Sequence, residues 1–180
     1  MQGIAQQGPR GPGIWLRGPV ADTGPWPEGA QGVAAPRTFA WMATHGGAGA
    51  STLAAVFGGF DAGRDWPRPV QGEPSSVLLV ARTHATGLRA ALGFLDVFRR
   101  GEAPPGLDLD AVVLVADAPG RLPRPLGRHV RVLESLIDVY RVPWVPAWRT
   151  GDPDGGPPRG CEQLARLTGV FAPSGARGER

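Results

Sequence analysis

Thr38–Phe60 reads TFAWMATHGGAGASTLAAVFGGF, and three textures follow one another within it. Thr38–Thr44 (TFAWMAT) is an apolar run suited to a short buried strand. His45–Thr52 (HGGAGAST) is rich in glycine, and Leu53–Phe60 returns to the alanine and leucine of a helix. The unit is therefore strand, glycine loop, helix. Two further apolar runs lie downstream, Val77–Ala81 (VLLVA) and Val112–Ala116 (VVLVA). Neither alternates with polar residues, so each predicts a strand covered on both faces.

Helical spacing separates these runs. Leu88, Ala91, Leu92, Leu95 and Phe98 mark one face of a helix that ends at Arg99, Arg100 and Gly101. Leu126, Val130, Leu133, Ile137 and Tyr140 mark another. Val142–Trp148 (VPWVPAW) carries Pro143 and Pro146, which donate no ladder bond, so it predicts an edge strand or an extended cover. Residues 61–75 read as a polar, proline-bearing loop, and a short helix is expected near Cys161–Leu167. The order β-α-β-α-β-α-β-(α) predicts a three-layer α/β/α fold with a mostly parallel sheet of four to five strands. In such sheets ligands bind beyond the carboxyl ends of the strands. The loops opening at His45, Arg82 and Asp117 should then share one rim.

The flanks differ from this middle. Residues 1–36 carry Gly or Pro every few positions and read as a flexible arm, with Trp15, Leu16 and Trp26 as apolar anchors for the domain or a partner. Residues 37–150 form the α/β domain, and 151–180 a linker, a short helix and a tail. The chain has 180 residues, 28 of them Gly and 20 Pro, and its 19 basic residues are all arginine. That usage fits a GC-rich coding sequence. The net charge of +3 is small and the arginines are dispersed, so a nucleic-acid partner is unsupported. One cysteine excludes an internal disulfide, and His45, His84 and His129 lack metal-ligand spacing. No apolar run is long enough for a membrane span. The first residues lack a basic and apolar leader pattern, so a cytoplasmic location is expected.

The chemistry concentrates in the glycine loop. Glycines bring backbone N–H groups close to a phosphate, and a helix N-terminus favours its charge. HGGAGASTL resembles the deviant Walker A loop of ParA/MinD-type P-loop ATPases, K-G-G-x-G-K-[ST]-T. Gly46, Gly47, Gly49, Ser51 and Thr52 fall on matching positions, while His45 and Ala50 stand where that pattern has lysines. VVLVADAPG, Val112–Gly120, resembles the same family's Walker B strand ending in D-x-P-[AG]. The middle of the chain, about 38–150, also resembles an uncharacterised group of actinobacterial proteins, some associated with plasmids or integrative elements.

The resemblance implies a cofactor site of Gly46, Gly47, Ala48, Gly49, Ala50, Ser51 and Thr52 around the phosphates of ATP or GTP, with Ser51 and Asp117 toward Mg²⁺. Arg82, at the end of the second apolar run, and Arg121 are candidates to replace the missing lysine. His45 is a candidate for a weak phosphate contact. Loss of the lysine should hurt phosphoryl transfer more than binding, since backbone amides still cradle phosphate. Two readings stay open. One is a nucleotide-binding protein with little or no hydrolysis, a switch or accessory of mobile elements that dimerises over its nucleotide. The other is a pseudo-NTPase that binds no cofactor and uses the arm and Trp144 and Trp148 to hold a protein partner.

Overall fold

Strands that are apolar on both faces must be covered on both, and the chain satisfies this with helices above and below one sheet. The computed structural model describes residues 38–153 and 155–170. The arm read over 1–36, with Trp15, Leu16 and Trp26, and the tail from 171 onward lie outside them. The elements run β1 (Ala40–Ala43), α1 (Ala50–Phe57), β2 (Phe60–Asp61), a 3₁₀ turn at Pro69–Gln71, β3 (Ser76–Arg82) and α2 (Ala85–Arg99). They continue with β4 (Asp108–Val115), α3 (Arg124–Glu134), β5 (Val139–Val142), α4 (Pro146–Arg149) and α5 (Glu162–Thr168). The five strands are all parallel, in the order β2-β1-β3-β4-β5. The three-layer α/β architecture expected from the apolar runs is what forms.

Alternate side chains of each strand enter opposite cores. Trp41, Leu78, Val80, Val113 and Val115 face Leu53 and Phe57 of α1 and Leu164 of α5. Met42, Leu79, Ala81, Val112 and Leu114 face Leu88 and Leu95 of α2 and Val130 and Leu133 of α3. The chain thus winds to one face after β1 and to the other after β3. Such a reversal opens a crevice between these two strands at their carboxyl ends, where open α/β sheets place ligands.

Several boundaries depart from the sequence reading. α1 begins at Ala50 rather than Leu53 and stops at Phe57, because Gly58 and Gly59 both take positive φ. Phe60 and Asp61, read as helix end and loop, pair with Ala40 and Trp41 as the edge strand β2. Its two exposed residues carry no apolar run to announce it. α3 ends at Glu134, so Ile137 lies beyond it and Tyr140 belongs to β5, which pairs Val139–Val142 with Val112–Val115. The edge strand therefore stops before Pro143, while Pro146 opens the short helix α4. β4 begins earlier than Val112, and its register on β3 shifts between Val77 and Leu78 to absorb an extra residue near Asp110. Ser76 Oγ donates to the Asp110 carboxylate beside that bulge.

Cys161 opens α5 and is 2% exposed within the α1 and α5 core. Burial, followed by the neighbouring Glu162 charge, pushes its thiol up to about 11. Only thiolate attacks disulfide reagents. Cys161 should thus resist an aromatic disulfide reagent in the native protein at about pH 8 and react promptly after unfolding in guanidinium. Absorbance of the released thiolate measures both rates.

Candidate functional site

The rim builds upward from backbone demands. After β1, Thr44 closes the strand end by giving both its N–H (2.9 Å) and its hydroxyl (3.0 Å) to Val80 O. The loop then turns through Gly47 at φ 74° and Gly49 at φ 107°, conformations that L side chains rarely adopt. Gly46 takes no such angle, and a Cβ there would meet nothing within 4 Å. Gly49 caps α1, whose first internal bond runs from Leu53 N–H to Gly49 O at 2.9 Å. The N–H groups of Ala50, Ser51 and Thr52 therefore have no acceptor inside the helix, and no side chain caps it.

His45 fastens this loop to β3. The Arg82 backbone N–H donates to His45 Nε2 at 3.0 Å, so the ring proton sits on Nδ1, which donates to Gly46 O at 2.9 Å. Both ring nitrogens are thereby used on the backbone, which removes the phosphate contact considered for this residue and gives it a positioning role. Gly87 makes room for the staple. A Cβ there would fall on the Arg82 carbonyl and stand 2.9 Å from His45 Nε2.

Arg82 ends β3 and turns its side chain across the sheet end. Nε donates to Gly47 O at 3.2 Å and Nη1 to Ala116 O at 3.0 Å. Nη2 is left 3.9 Å from where a Cβ on Gly49 would stand. Among the described residues its hydrogen-bond partners are neutral carbonyls, with no carboxylate paired to it. Carbonyl acceptors fix the orientation of a guanidinium without cancelling its charge. Together with the half-charge of a helix N-terminus, it makes this end of the crevice electropositive.

A cavity of about 390 Å³ opens over the loop. It brings together the whole expected series Gly46, Gly47, Ala48, Gly49, Ala50, Ser51 and Thr52, together with Arg82. Asp61 and Arg64 also line it. Sequence reading passed them over because they follow a two-residue strand, which has no periodicity to locate it. Asp61 is tied locally, accepting from Gly63 N–H at 2.9 Å. Ala50 is 4% exposed and packs with the α1 core while lining the cavity.

Asp117 stands apart. Its N–H donates to Thr83 Oγ1 at 3.0 Å, and with Arg121 it lines a second cavity of about 510 Å³ beyond the ends of β3, β4 and β5. Ser51 and Asp117 line different cavities, with the Arg82 guanidinium reaching the backbone on both sides of the gap. No group of three or more His, Cys, Asp or Glu residues suited to a metal occurs among the described residues. Trp148 packs against the α1 and α5 core, and Trp144 lies under the Arg149 guanidinium at 5.4 Å. No helix among the described residues is long and apolar enough to cross a membrane.

The loop geometry separates three glycines that look equivalent in the sequence. Gly47→Ala and Gly49→Ala should each lower stability by about 1–2 kcal/mol, the cost of forcing a Cβ into left-handed backbone. Gly46→Ala should stay within about 0.5 kcal/mol of the parent, as most unconstrained surface changes do. Urea unfolding of the three variants measures the difference.

No protein-family model, curated protein or solved structure matches the chain.

Proposed function

We propose that the glycine loop, the α1 N-terminus and Arg82 bind the phosphates of a nucleotide, ATP or GTP, and that the protein hydrolyses it slowly or not at all. One observation carries this reading. A half-buried guanidinium, oriented by two carbonyls and matched to no carboxylate among the described residues, stands beside Gly49, the N-cap of α1. The charge that a P-loop takes from its lysine would come here from β3 instead.

The same arrangement supports binding over turnover. The N–H groups of Ala50, Ser51 and Thr52, which have no acceptor inside the helix, and the guanidinium stabilise a bound phosphate chain in its ground state. Phosphoryl transfer further requires charge at the γ-phosphate and an oriented attacking water. The carboxylate expected to help, Asp117, opens on the neighbouring cavity. A P-loop ancestry of the degenerate ParA/MinD type, with a role as a switch or accessory in mobile elements, would agree with such a site.

Isothermal titration with ATP, GTP, their diphosphates and pyrophosphate tests the reading. Arg82→Ala should weaken pyrophosphate about tenfold to a hundredfold, as expected when a charged hydrogen-bond donor is removed. Replacing magnesium by a chelator should change pyrophosphate affinity little, and phosphate release from ATP should stay at the background rate. Absence of heat with every phosphate ligand, or binding indifferent to Arg82→Ala, would overturn it.

A further inference from the structure

The larger cavity has a different chemistry from the phosphate cradle. Its floor is apolar, formed by Leu114, Val130 and Val142 with Leu126 at the side. Its rim is polar in both senses. Asp117 offers a carboxylate that accepts, while the Thr83 hydroxyl accepts from Asp117 N–H and keeps its own proton to donate. His84 Nδ1 accepts from Gly87 N–H at 2.9 Å, which leaves Nε2 as the nitrogen available to the cavity. At about 510 Å³ it lies in the range of small-molecule pockets, about 300–1,000 Å³.

The two cavities adjoin through a single side chain. Arg82 lines the phosphate cradle and donates to Ala116 O, and Ala116 lines the larger cavity. A ligand that fills both carries an anionic end, a short connection passing Arg82, and a largely apolar body whose edge both donates and accepts hydrogen bonds. An aliphatic chain would leave Asp117, Thr83 and His84 unmatched. A nucleobase with its ribose matches them. Resting on the phosphate reading above, we infer that the cavity bounded by Leu126, Asp117 and His84 holds the nucleoside of the nucleotide whose phosphates lie on the glycine loop. The ligand then spans the β1/β3 crevice and the ends of β4 and β5, with Arg82 at the junction.

The test compares ADP, GDP and pyrophosphate by isothermal titration on the full chain. A buried nucleoside should make at least one diphosphate bind about tenfold or more tighter than pyrophosphate. Leu126→Trp, which places an indole in the cavity from the half-buried first turn of α3, should reduce that advantage to nearly nothing and leave pyrophosphate affinity unchanged. Asp117→Asn, an exposed and nearly isosteric change that spares the core, should reduce the advantage severalfold. Pyrophosphate binding with no nucleoside advantage, or an advantage that survives both variants, would overturn this assignment alone. Failure of pyrophosphate itself to bind would overturn the phosphate site and this assignment with it.

Discussion

A guanidinium held by two backbone carbonyls ties the rim of this protein together. Arg82 reaches Gly47 O on one side and Ala116 O on the other, and so joins the loops that follow β1 and β4 across the end of β3. Its own backbone N–H is meanwhile taken by His45. The glycine loop is thus fixed at one point by an imidazole and at the next by a guanidinium, both anchored on the same residue. Such bonds to neutral acceptors cost the guanidinium little of its charge. They leave a positive group with a defined direction at the reversal point of a parallel sheet, where an anion is best received.

Burial explains why the rim exists at all. The strands are apolar on both faces, which demands helices on both sides and parallel connections, and parallel strands deliver all their outgoing loops to one edge. Glycine then becomes necessary only where the chain must turn back tightly into a helix. Gly47 and Gly49 meet that need, and Gly87 meets a different one by letting α2 close over His45 and the end of β3. The alanine at position 50 fits the same economy, since it is packed into the core beside Leu53.

Much of this was legible from the sequence, for a physical reason. Long apolar runs such as Val77–Ala81 and Val112–Ala116 have few places to go except a doubly covered sheet, and they emerged as the centres of β3 and β4. Arg82 could be placed at the rim because it directly ends such a run. Short edge elements were not legible. β2 is two exposed residues, set by pairing with β1 rather than by its own composition, and Asp61 and Arg64 were hidden with it. The segment from Leu136 to Trp148 misled for a related reason. Helical spacing at Ile137 and Tyr140 persisted by coincidence past the end of α3, and a tertiary partner, β4, claimed Tyr140 for a strand. Spacing also cannot reveal which rim residues share a cavity. Ser51 and Asp117 sit on adjacent parts of one edge, yet the side chain of Arg82 stands at the boundary between their pockets.

Where a phosphate chain binds decides whether the glycine loop and Arg82 form one site. The most direct measurement is an NMR titration of ¹⁵N-labelled protein with pyrophosphate, following the backbone amides and the arginine Nε–H resonances. Concerted, saturable shifts at Gly49–Thr52 and at Arg82 Nε–H, with the amides of α3 and β5 unmoved, are the predicted result. Saturable shifts elsewhere on the molecule, or none at the glycine loop and Arg82, would contradict it.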